Sequence, residues 1–517
     1  KQLFINQRDG SFIDQAQQYG LDHKGFSTQA AFFDYDKDND LDVFLLCHST
    51  HSTDNYRDTS NRFVVDYASG DKLFRNDGNT FTEVTQKAGI TSSKVGYGLG
   101  IGISDLNDDG CPDIYVGNDF HENDYLYYNN CNGTFTEAIT QSTYHNSTFS
   151  MGNDIADINN DGLPDILTLD MRPEDQEVLK NSVGPDNWGL YQFKLRYGYH
   201  AQFPRNVMQV NQGDLRGNGT AQFSDLSQLA GVDATDWSWA PLIADFDNDG
   251  WKDIFVANGI VKRPNDLDYL KSVSNTLNAM GTPEDTFINR MPDGKVPNYI
   301  FQNQQDLTFK NKATDWGLQQ ASLSNGAAYA DLDNDGDLDL VINNIDEPAF
   351  ICRNNSEVLT DNHFLSIHLA GADKNKFGIG AKVSIWLGNQ MLYQELHPSR
   401  GFQSASDHRI VFGVGNYSKI DSLLVVWNSG RSQKMKAISV DQKLVLKEAD
   451  AKLIRTKKQI ANFIFKDVTN SYDFAYKHHE NKFADVNRES LMPHLLSSQG
   501  PCMTVGDWNG DQLDDFY

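Results

Sequence analysis

Six nine-residue segments of this 517-residue chain repeat one arrangement of side-chain oxygens. They read DYDKDNDLD (34–42), DLNDDGCPD (105–113), DINNDGLPD (157–165), DFDNDGWKD (245–253), DLDNDGDLD (331–339) and DWNGDQLDD (507–515), numbered here loops 1 to 6. Positions 1, 3, 5 and 9 are Asp34, Asp36, Asp38 and Asp42 in loop 1, and Asp105, Asn107, Asp109 and Asp113 in loop 2. They are Asp157, Asn159, Asp161 and Asp165 in loop 3, and Asp245, Asp247, Asp249 and Asp253 in loop 4. Loop 5 has Asp331, Asp333, Asp335 and Asp339, and loop 6 has Asp507, Asn509, Asp511 and Asp515. Side chains at positions 1, 3 and 5 of a tight loop converge on one point, a main-chain carbonyl near position 7 adds an oxygen, and position 9 closes the shell. A shell of hard oxygen donors is calcium chemistry. Gly110, Gly162, Gly250 and Gly336 at position 6 permit the sharp turn, while loops 1 and 6 carry Asn39 and Gln512 there.

Composition agrees with the spacing. The chain has 59 Asp against 12 Glu, and 25 of those Asp lie in the six loops. A solvated acidic surface has no reason to avoid Glu, whereas turns and hard-cation sites prefer Asp. Without a cation, so many clustered carboxylates would repel one another. The net charge of -27 disfavours a nucleic-acid partner, which needs basic patches. No apolar run approaches a membrane span; the longest, such as 423–427, are strand-sized.

The loops are not helix-flanked calcium hands. Such a hand needs a bidentate Glu at position 12, where loops 1 to 5 carry Leu45, Val116, Thr168, Val256 and Ile342. Strand-like runs follow position 9: DVFLL, DIYVG, DILTL, DIFVA and DLVIN. A second phrase recurs between loops, an apolar pair, Asn, a polar turn and Phe: LFINQRDGSF from Leu3, LFRNDGNTF from Leu73, LYYNNCNGTF from Leu126 and IFQNQQDLTF from Ile300. Each reads as a hairpin with no function of its own. Loop and hairpin together make one antiparallel unit, and such units stacked radially form β-propeller blades. Loop starts lie 71, 52, 88, 86 and 176 residues apart, so insertions interrupt the repeat and the last gap holds another domain. Within 264–291, Leu267, Leu270, Val273, Leu277 and Met280 share one helix face, expected to pack on the propeller.

These loops resemble the FG-GAP/VCBS repeats of calcium-binding propellers. The last gap contains FGIGAKVSIW from Phe377, SRGFQSASDHRIVFGVG from Ser399 and IDSLLVVWNSGRSQ from Ile420, and is similar to an ASPIC/UnbV domain. The combination resembles cartilage-acidic-protein-like secreted proteins, and most of all the large VCBS/ASPIC proteins of Bacteroidota, as do GPDNWGLYQFKLRYGYH from Gly184 and ATDWSWAPLIADFDNDGWKDIFVANGI from Ala234. The resemblance implies an all-β chain: a propeller with insertions over 1–355, an ASPIC/UnbV-like domain over 356–450, and the start of a second propeller-like region over 451–517. It implies seven blades when complete, five of them with calcium loops here. The chain opens on Lys1 and a hairpin phrase and stops two residues past Asp515, so it reads as a piece of a longer protein. From Asp373 to Glu448 the net charge is +5, a reversal that suits a separate domain docking on an acidic propeller or partner.

Cys111 and Cys131 bracket a hairpin; if 115 faces 127, then 111 faces 131, and a disulfide is expected there. Candidate chemistry outside the loops is limited to Asp119, His121, Glu122 and Asp124 in GNDFHENDY and to His200 and Arg205 in YGYHAQFPRN. Some calcium propellers are polysaccharide lyases using a base and an arginine, so His121, Glu122, His200 and Arg205 are the residues to examine. No nucleophile elbow, HExxH or phosphate loop is present. The expectation is therefore an exported calcium-binding propeller that acts as a binding or assembly module at a bacterial surface, with a protein or glycan partner. By resemblance, a lipid anchor and a TonB-dependent transporter complex are implied. The alternative is a glycan-processing lyase or hydrolase.

Overall fold

The computed structural model describes residues 1–50, 58–276, 288–453, 468–471, 476–489 and 495–516. Two compact units divide the chain: Lys1–Asp186 with Tyr191–Ile454, and Asn187–Leu190 with Arg455–Tyr517.

The larger unit is β-rich. Four antiparallel four-stranded sheets follow one another: Ser27–Phe33, Asp42–Cys47, Lys72–Asn76 and Phe81–Glu83 in blade 1; Gly98–Ser104, Asp113–Asn118, Tyr125–Asn129 and Phe135–Glu137 in blade 2. Blade 3 is Asn153–Ala156, Asp165–Thr168, Val207–Asn211 and Phe223–Asp225, and blade 4 is Ser238–Ala244, Asp253–Asn258, Tyr299–Asn303 and Phe309–Asn311. Blade 5 has three strands, Ser324–Ala330, Asp339–Asn344 and Phe350–Cys352, and a two-stranded hairpin, Phe4–Asn6 with Phe12–Asp14, precedes blade 1. Loops 1 to 5 each join the first strand of a blade to its second, and the hairpin phrases from Leu73, Leu126 and Ile300 form the third and fourth strands of blades 1, 2 and 4. The second strands of blades 1 to 4 are buried on both faces, which is why DVFLLC and DIFVAN read as continuous rather than alternating.

First strands of successive blades touch, and the apolar core lies between blades as layers. Close approach needs small residues. A Cβ at Gly100 would lie 2.6 Å from the Met151 carbonyl oxygen, and one at Gly102 would lie 2.5 Å from Ile155 Cδ1, so glycine lets blade 3 close on blade 2. Blades arranged around their first strands are a β-propeller.

After blade 5, residues 363–453 form a second β-structure in the same compact unit. His363–Ala370 pairs antiparallel with Ile410–Gly415 and parallel with Gln442–Lys447. A five-stranded sheet orders Gln390–Glu395, Lys382–Leu387, Lys419–Val426, Arg431–Ser439 and Lys452–Leu453. The two sheets enclose a core that includes Leu365, Ile385, Phe412 and Trp427. A short hairpin leaves this body, Ser399–Arg400 paired with Ser404–Ala405; its first strand touches the first strands of blades 1 to 4 and its second touches blade 5. The hairpin therefore stands where the inner strands converge.

A helix does form at Leu267–Thr276, but Leu267 and Leu270 remain 45% and 41% exposed rather than covered by the propeller. The spacing of apolar residues fixes a face, not what covers it. Leu277 and Met280 lie outside the described residues.

The smaller unit holds the two-stranded pair Val505–Gly506 and Asp515–Phe516, with loop 6 between the strands.

Candidate metal centres

All six loops share one backbone. Position 4 takes positive φ in each, from 53° at Asp108 to 78° at Gly510, and position 6 does so too, from 71° at Asn39 to 104° at Gly336. Asn39 and Gln512 thus adopt the glycine-favoured conformation. At position 4, Asn160, Asn248 and Asn334 are the non-glycine residue type that best tolerates that region.

This backbone turns the amide groups of positions 5 and 6 onto the first carboxylate. Asp34 accepts from the N–H groups of Asp38 (3.0 Å) and Asn39 (2.9 Å), and Asp105 from Asp109 (3.0 Å) and Gly110 (2.7 Å). Asp157 and Asp245 accept the same pair, from Asp161 and Gly162 and from Asp249 and Gly250. Loop 5 departs: neither oxygen of buried Asp331 accepts a hydrogen bond, and Arg409 Nη1 and Lys443 Nζ stand 3.7 and 3.6 Å away.

Position 9 locks loop to blade. Asp42 accepts from Tyr35 N (3.0 Å) and Asn76 N (2.8 Å), Asp113 from Leu106 N and Asn129 N (both 2.8 Å), and Asp165, Asp253 and Asp339 repeat the pair. The Asn of the hairpin phrases from Leu73, Leu126 and Ile300 ties loop to blade, as do Asn211 and Asn354 at the matching places in blades 3 and 5, whereas Asn6 accepts from Arg8 N. Asn129 Nδ2 donates to Pro112 O within its own loop and to Tyr35 O in the loop before (3.2 and 2.8 Å). Asn211, Asn303 and Asn354 bridge consecutive loops in the same way. Recurrence of Asn after two apolar residues was the signal; its target, a loop some 100 residues away, was not legible.

Electrostatics test whether these sites suit a cation. Carboxylate oxygens from Asp34, Asp36 and Asp42 lie within 4.8 Å of one another, as do those of Asp245, Asp247 and Asp253, and of Asp331, Asp333 and Asp335. Burial, reinforced by neighbouring carboxylates, pushes Asp113, Asp245 and Asp253 well above the carboxylate range and raises Asp42 to about 8. Such oxygens are costly to keep charged and dry unless a cation joins them, so the loops fit one. In loops 2 and 3 the neutral Asn107 and Asn159 stand at position 3, and loop 6 is solvent-exposed.

The second β-structure meets the loops with its own polar groups. Lys374 Nζ lies 2.7 Å from Asp40, Asn428 Nδ2 donates to Asp34 (2.7 Å), and Lys382 pairs with Asp105. Arg400 reaches from the central hairpin to buried Asp154 at 2.7 Å and to Ile155 O. Gln29 donates to Ser404 O and accepts from Gln403 N, while Phe402 packs on Trp239. Lys374, Lys382, Arg400, Arg409 and Lys443 of this positively charged segment thus meet its own propeller.

Cys111 and Cys131 form a disulfide with Cα atoms 5.8 Å apart. The register differs from the expected one: Tyr115 faces Leu126 and Ile114 faces Tyr127, one residue off. Cys131 escapes the ladder because it sits at φ 54° in the hairpin turn, which swings it back to Cys111.

Three of the candidate catalytic residues, Glu122, His200 and Arg205, are engaged by neighbouring side chains. Glu122 is clasped by Arg62 at 2.7 and 2.8 Å, His200 Nε2 meets Thr143 Oγ1 at 3.1 Å, and Arg205 pairs with Asp225 at 3.0 Å. His121 is half-buried beside Glu122, Asp119 is buried, and Asp124 accepts from Tyr115 Oη and Ser150 Oγ. These bonds tie insertions together rather than converge on a common point.

Blades whose first and second strands are joined by acidic loops that could hold a metal, with a β-structure packed on them, define a repeat β-propeller. Family models agree at two places: an FG-GAP-like repeat matches residues 105–168, and an ASPIC and UnbV domain matches residues 371–453. The chain joins FG-GAP-like repeats to an ASPIC/UnbV domain. Among solved structures it is similar to the V. cholerae biofilm matrix protein Bap1, at 11% identity and a TM-score of 0.26, over 81% of this chain and 60% of that one. A comparison with curated proteins finds no match.

Proposed function

We propose that the chain is an exported, calcium-binding propeller that serves as a binding or assembly module at a bacterial cell surface. The observation that carries the calcium reading is the set of buried, converging carboxylates without enough counter-charge. All-oxygen, irregular sites of this kind suit Ca2+, and weak multiple sites suit the millimolar calcium outside cells. The Cys111–Cys131 disulfide fits an oxidising compartment. Among the described residues no helix is long and apolar enough to cross a membrane. Attachment at the outer membrane through a lipid anchor, beside a TonB-dependent transporter complex, belongs to the same proposal.

The insertions supply the recognition face. Arg62, from the insertion in blade 1, binds Glu122 in blade 2, donates to Tyr197 O and stacks 4.0 Å from the Tyr199 ring in the blade 3 insertion. Three insertions are thus held together while Phe63 and Tyr144 stay 82% and 80% exposed. Large exposed aromatics on a rigid support favour binding of a protein or a glycan. The glycan-processing alternative is the weaker reading, because Glu122 and Arg205 are already held in ion pairs with Arg62 and Asp225.

Calorimetry of the chain in calcium and in EDTA tests the metal. A lower melting temperature in EDTA is expected, and identical melting overturns the calcium reading. Capture from native outer membranes by wild type and by Phe63→Ala/Tyr144→Ala tests the face; the double variant should retain less of any partner, and equal retention removes that face from the proposal.

A further inference from the structure

Position 7 of the loops carries a side chain whose role the shared motif does not set. It is Cys111, Leu163, Trp251 and Leu513 in loops 2, 3, 4 and 6, but Asp40 in loop 1 and Asp337 in loop 5. Asp40 is buried and neutralised by Lys374 at 2.7 Å. Asp337 is 0% exposed, has no cationic side chain as an ion-pair partner among the described residues, and faces a second acid instead. That acid is Glu357, on the helical turn Ser356–Leu359 that leads out of blade 5.

The two acids share a third. One oxygen each from Asp335, Asp337 and Glu357 lies within 4.8 Å of the others. Ser356 Oγ donates to Asp337 Oδ2 at 2.9 Å, which leaves Oδ1 buried and without a hydrogen-bond partner. Glu357 Oε2 is likewise buried and unpartnered, because Arg353 engages Oε1 at 2.8 Å. The same guanidinium contacts Asp333 (2.6 Å) and Asp335 (3.0 Å), so one positive charge is divided among three acids and Asp337 receives none. An isolated buried carboxylate beside two others is a high-energy arrangement unless a cation completes it.

We propose that Asp335, Asp337 and Glu357 form a second divalent-cation site beside loop 5, with Asp335 bridging it to the loop set of Asp331, Asp333 and Asp335. Three carboxylates make it a hard-oxygen site, and the side chains of Asp335 and Glu357 are 20% and 23% exposed, which admits water as further ligands. Glu357 lies outside every nonapeptide, so the site does not follow from the repeat. Its effect would be to fasten the exit from blade 5 to the loop beneath it. The site is independent of whether the six loops hold calcium.

Native mass spectrometry of the full chain titrated with CaCl2 counts bound ions. Glu357→Gln and, separately, Asp337→Asn should each carry one Ca2+ fewer than wild type, with far-UV circular dichroism unchanged. Equal counts in wild type and Glu357→Gln overturn the second site and leave the loop reading standing. Glu357→Gln and Asp331→Asn/Glu357→Gln losing the same single ion also overturns it, since Glu357 would then serve the loop ion itself. A wild-type chain with no bound calcium overturns both readings, whereas a single ion that Glu357→Gln alone abolishes sustains this site and removes the loops.

Discussion

Asp225 shows how one buried charge is stabilised in the blade 3 region. Burial alone would raise its pKa, but hydrogen bonds from His145 and Ser227 and from Arg205 outweigh it and bring the group down to about 2. Arg205 and His145 both lie 3.0 Å from Oδ2. A carboxylate whose folded pKa is below its unfolded value near 3.9 contributes stability above that value and loses it as pH falls toward the folded one. Asp225→Asn should therefore cost about 2 kcal/mol at pH 7, and the gap to wild type should shrink from pH 4 to pH 3 in urea titrations. A gap independent of pH would show that Asp225 contributes by shape alone.

At the scale of elements, the bridging asparagines and the central hairpin hold the blades in place. Asn211→Ala removes donors to Pro164 O and Leu106 O and should cost about 1–3 kcal/mol in denaturant titration. Arg400→Met leaves Asp154 buried without its partner, a loss of about 3–5 kcal/mol; adding Asp154→Leu should recover part of it. No recovery would mean that the hairpin is held by Phe402 and the main chain instead. These elements were unequally legible. Loop, strand and hairpin phrase are local, so DFDNDGWKD followed by DIFVA announces a turn and a buried strand. The ladder register depends on where a hairpin turn begins, and Cys131 at positive φ absorbed the residue that the count assigned to the strand. The hairpin SRGFQSA gave no sign of its destination, because its partners Gln29, Asp154 and Trp239 are set by packing across the whole unit.

At the scale of the molecule, the acidity of the chain is met from two sides. The ASPIC/UnbV domain sets Lys374, Lys382, Arg409 and Lys443 against loops 1, 2 and 5, and under the calcium proposal metal ions meet the other loop carboxylates. Lowering calcium should thus weaken the seating of this domain as well as the blades, and limited proteolysis should cut faster in EDTA on both sides of residue 363. Cleavage confined to the blades would separate the two. The Cys111–Cys131 bond closes a loop of 20 residues, and Cys111→Ser/Cys131→Ser should cost about 3 kcal/mol.

The hairpin at 399–405 also sets a schedule. Gln29 meets Ser404 across 375 residues, and Arg400 meets Asp154 across 246. Contacts this distant close late and slowly. A chain exported from its amino end would wait with its axis unfilled until residue 404 had followed, so a later segment locks an earlier one in place.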